Sequence, residues 1–271
     1  MASEIISNKY KDLDELSVKK KSDYAIAKPF PHILLDDFFD NSYLEEILNN
    51  FPDLSKKKEA YEFKTKTDKK LISISQSFLS DKVVNFINFL NSHRFLIFLQ
   101  KLTGIETYLI PDPYLSGGGL HETKNGGFLK VHADFRFHPL ISLDRRINIL
   151  IFLNKNWKEE WGGHLELWNR DMSKCVTKIL PIFNRVVIFN TTDYTFHGHP
   201  DALNCPNSES RKSIALYYYT NGRPDTEINR DYLHHRTLFQ KRKNLDDDFK
   251  REKVEFKKIF GKFYIRKKTF Y

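Results

Sequence analysis

The 271-residue sequence has only two cysteines, Cys175 and Cys205, and no apolar run long enough to cross a membrane. Two cysteines are too few for a disulfide framework, and they lack the paired spacing of a zinc site. The first residues are polar and lysine-rich, without the apolar stretch of a secretion signal. These absences predict a protein without a membrane span that works in a reducing, cytoplasmic compartment.

The positive charge is concentrated near the end of the chain. The formal net charge is +9, and residues 229–271 contain 14 Lys or Arg against 6 Asp or Glu. The rest of the chain is therefore close to neutral. This distribution favours a solvated basic surface over a docking segment for an acidic partner, and both interpretations stay open.

The chain before residue 105 is expected to support a core. Residues 1–28 have little periodicity and are expected to form a loosely attached polar arm, and residues 29–104 are expected to form a helical support region. In that region a capping box begins a helix near residue 42, and the charged stretch 56–70 is typical of a loop. Apolar residues at helical spacing predict one long helix over 81–102.

From residue 106 to residue 220 the sequence consists of short runs of β-branched and aromatic residues separated by turn residues. About seven such runs predict an all-β sandwich or barrel. We expect this core to occupy 105–224 and a basic helical extension to occupy 225–271, with 29–271 forming one domain. The expected helix of the extension is indicated by amphipathic spacing of Phe249, Phe256, Ile259, Phe260 and Phe263.

Three residues of the expected core are candidate metal ligands. His132 and Asp134 are two positions apart at the end of a predicted strand, so their side chains share a face. His197 is the candidate for the third ligand, since two histidines and one carboxylate leave positions on Fe(II) for an oxo acid and O₂. The His-x-Asp pattern is a weak signal by itself, because residues 199–201 repeat it. His199 precedes a proline, and we expect it to lie in a loop and not to bind metal.

A candidate anion site begins the last strand of the expected core. Arg211 and Ser213 are two positions apart, and their face continues through Ala215 to Tyr217, while Lys212 belongs to the opposite face. A guanidinium group binds a carboxylate in bidentate fashion, and a hydroxyl adds another donor. The pair therefore suits the distal carboxylate of 2-oxoglutarate.

The block from His132 to Tyr219 resembles the catalytic core of the prolyl 4-hydroxylase-like 2-oxoglutarate/Fe(II) dioxygenases. In that family His-x-Asp is followed by a strand that ends in a Leu-Asn-x-x-Trp turn. A Gly-Gly strand, a Phe-x-Arg strand, the distal histidine and Arg-x-Ser come next. In this sequence the corresponding segments, in the same order, are RINILIFLNKNW, GGHLELW, FNRVVIF, His197 and Arg211-Lys212-Ser213.

The resemblance implies a mainly β fold with flanking helices, namely a double-stranded β-helix of the jelly-roll, cupin-like kind. It also implies Fe(II) held by His132, Asp134 and His197, and 2-oxoglutarate held by Arg211 and Ser213. O₂ would be the co-substrate, and ascorbate would stimulate turnover.

The sequence departs from the family pattern in two places, one in the expected cofactor pocket and one in a loop. A tyrosine that is often found near the cofactor is replaced by Phe152. Asn148, Leu150 and Phe152 share one strand face, and we expect Asn148 and Phe152 to line the cofactor pocket. The loop between His197 and Arg211 is longer than in many relatives, which would alter substrate access.

The activity implied by the resemblance is hydroxylation of an aliphatic C–H bond. A prolyl residue in a peptide, or a free amino acid, is the favoured substrate. A sugar or natural product is the first alternative, and a non-catalytic jelly-roll binding module is the second. Nucleic acid is not expected, because the nucleic-acid dealkylases of this superfamily carry a second arginine six residues after the first, where this chain has Tyr217.

Overall fold

The computed structural model describes residues 5–230, 236–249, 257–259 and 262–264. Its four α-helices precede most of the strands: α1 Leu13–Ile26, α2 Asn41–Asn49, α3 Asp81–Leu90 and α4 His93–Thr103. The first seven strands are β1 His32–Asp36, β2 Ala60–Lys64, β3 Asp68–Ser73, β4 Ile110–Pro111, β5 Gly119–Lys124, β6 Phe128–Ala133 and β7 Asp144–Phe152. The other eight are β8 Leu165–Trp168, β9 Cys175–Ile179, β10 Arg185–Asn190, β11 Phe196–His199, β12 Ser210–Thr220, β13 Leu238–Phe239, β14 Lys257–Ile259 and β15 Lys262–Tyr264.

Thirteen of these strands form one antiparallel ladder. The main path runs β1-β10-β7-β12-β5-β3-β6-β11-β8-β9, while β2 pairs with β3, β4 with β12 and β13 with β6. The ladder is rolled, because side chains from strands far apart along this path meet. Asn148 on β7 donates a hydrogen bond of 2.7 Å to Asp134, which follows β6. The rolled antiparallel sheet is the double-stranded β-helix that the family resemblance implies.

The helices cover one outer face of the rolled sheet. Ile147, Ile149 and Ile151 of β7 share a buried cluster with phenylalanines from α3 and α4. Asn148 and Leu150 of the same strand face the interior cavity instead. This alternation follows from the two-residue period of a strand, and it separates a hydrophobic support layer from a polar cavity.

The interpretation of 1–28 as a loosely attached polar arm is wrong for the described residues. Leu13, Leu16 and Tyr24 of α1 are buried in the main core, and the hydroxyl of Tyr24 donates to Asn190 at 2.6 Å. Asp12 caps the helix by accepting from two backbone N–H groups. Few apolar residues mark the buried face of α1, which explains why its sequence has so little periodicity.

Two expectations for 29–104 are also corrected. The charged stretch 56–70 contains β2 and the start of β3, which pair as an antiparallel hairpin. The long helix expected over 81–102 is divided into α3 and α4. The division falls at Ser92, whose hydroxyl accepts from the backbone N–H of Phe95 and starts a second helix.

The helical extension expected over 225–271 is not found where the structure describes this segment. Residues 238–239 form β13, which pairs with β6, and β14 pairs with β15. Phe249 is buried, while Phe256 and Phe260 lie outside the described residues. Pairing with β6 supplies hydrogen bonds and side-chain contacts that a propensity argument cannot foresee.

No helix among the described residues is both long enough and apolar enough to span a membrane.

Candidate active site

The three predicted metal ligands come together at one end of the rolled sheet. His132 on β6 and His197 on β11 are directly paired across the ladder, and their ring centroids are 4.6 Å apart. Asp134 follows the end of β6. Its Oδ1 lies 3.5 Å from Nε2 of His132, and its Oδ2 lies 3.5 Å from Nε2 of His197. The three candidate ligand atoms all lie within 4.8 Å of one another.

Backbone contacts set the orientation of both histidine rings. Nδ1 of His132 is 2.8 Å from the carbonyl oxygen of Lys130, and Nδ1 of His197 is 3.1 Å from that of Thr195. A carbonyl oxygen only accepts, so each Nδ1 carries the proton and donates it. Each Nε2 then presents a lone pair toward Asp134. Burial lowers the pKa of His197 to about 4, which keeps its ring neutral and suited to metal binding.

Arg145 and Asn148 hold the carboxylate of Asp134. Nη2 of Arg145 lies 2.9 Å from Oδ2 of Asp134, and the amide of Asn148 donates to the same oxygen at 2.7 Å. Nε of Arg145 also donates to Oδ1 of Asn148 at 2.9 Å. Burial alone would raise the pKa of Asp134, but Arg145 and the two histidines hold it well below its usual range. The carboxylate is therefore ionised and fixed, with Oδ1 left for a metal ion.

Arg211 and Ser213 lie on the inner face of β12, as their spacing predicted. Ala215 and Tyr217 continue this face, while Ile214 packs in the outer core. Nε of Arg211 donates to the carbonyl of Gly163 at 2.8 Å, and burial lowers the pKa of its guanidinium group to about 9. The guanidinium carbon also lies 4.9 Å from the ring centroid of Phe152. These contacts fix the guanidinium group of Arg211 and leave its terminal nitrogens for a ligand.

The close approach of Arg211 requires glycine at position 163. Gly163 has a positive φ of 72°, and a Cβ there would lie 3.0 Å from Cδ of Arg211 and 2.5 Å from a methyl group of Leu203. The Gly-Gly pair noted in the sequence thus lets a backbone carbonyl reach the arginine.

The two residues expected to line the cofactor pocket have different positions. Asn148 lines the cavity, but its amide is occupied with Asp134 and Arg145. Phe152 is fully buried beneath Arg211, in the apolar cluster between the two layers of the roll. Asn148 therefore positions a candidate metal ligand, and Phe152 positions the candidate anion-binding arginine.

His199 is not in a loop, which corrects the expectation from the sequence. It belongs to β11, pairs with Leu129 beyond an irregularity in the ladder, and is only 5% exposed. Its side chain faces the cavity but is not part of the cluster formed by His132, Asp134 and His197. The following proline ends the strand and does not exclude the histidine from it.

Sequence reasoning missed several residues of the cavity wall. Lys70 comes from β3 and His121 from β5, while Phe239 on β13 packs its ring 5.5 Å from that of His132. Arg145 was missed as well. Lys70 lies in the charged stretch 56–70 that was expected to be a loop, so no sequence pattern marked it as a residue of the cavity.

A single cavity of about 540 Å³ contains all these groups. It is lined by the three candidate metal ligands together with Arg211 and Ser213. Its size suits a small-molecule cofactor and part of a substrate. Two imidazoles and one carboxylate match the donor set of non-haem Fe(II), and the buried guanidinium group of Arg211 matches a carboxylate. The residues present therefore fit Fe(II) and 2-oxoglutarate.

Comparison with known proteins agrees with this geometry. Residues 118–219 match the family model described as the 2OG-Fe(II) oxygenase superfamily. Mouse prolyl 3-hydroxylase OGFOD1 is 29% identical over 79 residues, which are 28% of this chain and 14% of that protein. The aligned part is thus a small fraction of the relative's length.

Solved structures share the fold at low sequence identity. A Pseudomonas putida prolyl-4-hydroxylase superposes with a TM-score of 0.57 at 13% identity, covering 76% of this chain and 100% of that one. A Trichoplax adhaerens prolyl hydroxylase, solved with a hypoxia inducible factor peptide fragment, also gives 0.57, at 17% identity, with 78% and 92% covered. A prolyl 4-hydroxylase from Phytophthora capsici gives 0.55 at 20% identity, with 84% and 72% covered.

The rolled sheet carries a cluster of two histidines and one aspartate, and residues 118–219, less than half of this chain, match the model of the 2OG-Fe(II) oxygenase superfamily. Among its members, this core is similar to the prolyl hydroxylases. Fe(II) and 2-oxoglutarate are accordingly the cofactors that the core is built to hold.

Proposed function

We propose that this chain is an Fe(II)- and 2-oxoglutarate-dependent hydroxylase of an aliphatic C–H bond. The observation that carries the proposal is that one cavity contains both His132, Asp134 and His197 and the buried fork of Arg211. When bound, Fe(II) and 2-oxoglutarate supply the O₂-dependent oxidation that places one oxygen atom on a substrate, with succinate and CO₂ as co-products.

The protein contributes orientation, charge and exclusion of water. The two imidazoles present fixed lone pairs, because their Nδ1 protons are held by backbone carbonyl groups. Arg145 and Asn148 keep the carboxylate of Asp134 in one position. Arg211 orients the oxo acid by its distal carboxylate. Phe239 covers one side of His132 and limits the approach of water.

We favour a prolyl residue in a peptide, or a free amino acid, as the substrate. The support is the naming of the relatives: the aligned mouse protein is a prolyl 3-hydroxylase, and the three structures that share the fold are prolyl hydroxylases. A sugar or natural product is the alternative within the same chemistry, because a shared fold does not fix the substrate.

The reaction class is tested by adding Fe(II) and 2-oxoglutarate to the protein without oxygen. A weak visible charge-transfer band is expected, and its absence at saturating concentrations of both would contradict the proposal. It would favour a non-catalytic binding module on the same fold. The substrate is tested by incubating the active enzyme with proline-containing peptides, amino acids and sugars, and by searching for addition of one oxygen atom by mass spectrometry.

A further inference from the structure

Lys70 is a partly buried cation of the cavity wall that the proposed chemistry does not use. It lies on β3, between Asp68 and Ile72, and all three side chains face the cavity. Its neighbour Lys69 is exposed on the other face of the strand. Among the residues that the structure describes, none accepts a hydrogen bond from the Lys70 ammonium group, which lies 5.7 Å from the ring centroid of Phe63.

Partial burial makes an unpaired charge on Lys70 costly. Burial lowers the pKa of Lys70, while Asp68 and Asp134 oppose the shift and favour the ammonium form. Neither carboxylate forms an ion pair with the Lys70 ammonium group. Asp68 accepts from the hydroxyl of Thr65, and Asp134 is held by Arg145 and faces the metal position. A partly buried charge without a close ion-pair partner is unfavourable, so a ligand that neutralises Lys70 is expected.

The charge of the loaded cavity leads to the same conclusion. Three cationic side chains of the cavity wall, Lys70, Arg145 and Arg211, face two carboxylates, Asp68 and Asp134. Fe(II) and the 2-oxoglutarate dianion add no net charge between them. One positive charge is therefore left after both cofactors are bound.

Unmatched polar atoms lie in the same part of the cavity. Nδ1 of His199 and Nε2 of His121 are buried without a hydrogen-bond partner among the described residues. Both rings are electrostatic neighbours of Lys70 and of Arg211. Arg211 and Ser213 already offer a bidentate fork and a hydroxyl, which is enough for one carboxylate. Lys70 and the two histidines thus offer contacts to a second polar ligand.

We propose that the primary substrate is an anion whose carboxylate or phosphate group binds Lys70, beside His121 and His199, while Arg211 holds the oxo acid. This inference rests on the proposed function, because it assigns Arg211 to 2-oxoglutarate and the remaining positive charge to the substrate. An anionic peptide side chain, a free amino acid carboxylate or a phosphorylated small molecule would satisfy it.

The test uses the full-length chain loaded with Mn(II) and saturating 2-oxoglutarate, so that Arg211 is occupied. Binding of inorganic phosphate and, separately, of acetate is measured by calorimetry for the wild type, Lys70→Met and Lys69→Met. We expect Lys70→Met to weaken binding of the preferred anion roughly tenfold or more, as for loss of a charged hydrogen bond. Lys69→Met is expected to change nothing, and Lys70→Arg to retain binding within a few fold. The anion that binds more tightly identifies the carboxylate or the phosphate as the substrate group.

Two results would overturn the inference. Equal anion binding by the wild type and Lys70→Met would remove Lys70 from a substrate site. A tenfold weaker binding of 2-oxoglutarate to Lys70→Met would assign Lys70 to the oxo acid instead. Lys70→Gln serves as a second neutral variant if Lys70→Met does not fold. A wild-type protein that shows no charge-transfer band and no 2-oxoglutarate binding would contradict the proposed function itself, so the two failures are distinguishable.

Discussion

The matched core and the two strands that flank it line the same cavity but supply different chemistry. The core, residues 118–219, supplies the three candidate metal ligands and Arg211. The flanking strands β3 and β13 each pair with β6, one after the other along the same edge, and they supply Lys70 and Phe239. The candidate metal and oxo-acid sites therefore lie in the core, whereas the flanking strands affect access to the cavity and the charge of the substrate that it can bind.

The largest expected effect comes from removing one of two neighbouring histidines of the core. We expect His197→Ala to abolish turnover and the charge-transfer band, because it removes one of three metal ligands. His199→Ala should keep the band, because its side chain lies outside the cluster. Visible spectroscopy under anaerobic conditions measures both. The reverse pattern would shift the ligand assignment by two residues.

Removal of the arginine fork should affect one cofactor and spare the other. Arg211→Ala is expected to raise the 2-oxoglutarate requirement about thirtyfold or more, since loss of a buried, hydrogen-bonded charge pair costs roughly 2–5 kcal/mol. Metal affinity should stay nearly unchanged. Steady-state kinetics and metal titration separate the two effects, and Lys212→Ala, on the outer face of β12, is the matched control. An unchanged KM for 2-oxoglutarate would remove Arg211 from the site.

Arg145 should act on the metal through Asp134. Arg145→Met is expected to weaken metal affinity roughly 10–100-fold, the range found for residues that orient metal ligands. Arg145→Lys, which retains the charge, should restore part of this loss. Competition with a metal chelator measures the affinities. If Arg145→Met bound metal as tightly as the wild type, Asn148 alone would be sufficient to position the carboxylate.

The smallest expected effect on chemistry comes from loosening the segment that carries β13. Asp247 is almost fully buried, and its Oδ1 forms ion pairs with Nη2 of Arg242 at 2.9 Å and with the ammonium group of Lys130 at 3.2 Å. Asp247→Asn should leave the charge-transfer band intact but speed hydrogen exchange at the backbone N–H of Gln240, which donates to Val131 at 2.8 Å. Asp246→Asn, at an exposed neighbour, is the control.

The same contact gives this segment a dependence on pH. Burial would raise the pKa of Asp247, but Arg242 and Lys130 hold it below its ordinary value. A carboxyl whose pKa is lower in the folded state stabilises above its unfolded pKa, and the contribution is lost as pH falls through the folded pKa. Protection of Gln240, corrected for intrinsic exchange, should therefore decrease below about pH 4 in the wild type. A similar decrease in Asp247→Asn would assign the effect to other groups.

The order of motifs was enough to predict the chemistry of the core. His132, Asp134, His197 and Arg211 follow one another at positions where strand alternation turns each side chain inward, and alternation is a local property of the chain. Strand alternation also predicted that Arg211 and Ser213 lie on one face of β12 and Ile214 on the other. The packing confirms this, because Arg211 and Ser213 line the cavity and Ile214 lies in the outer core.

The flanking contributions were decided only by tertiary structure. Lys70 is one of many lysines in a charged stretch that is typical of a loop, and only the insertion of β3 between β5 and β6 turns it toward the metal position. Arg145 is ordinary at a strand start until the roll brings it to Asp134. His199 shows the same limit, because a proline after it indicated a loop while pairing with β6 made it a strand residue. A sequence determines which face a strand residue occupies, whereas the partner of that face depends on pairings between segments far apart in the chain.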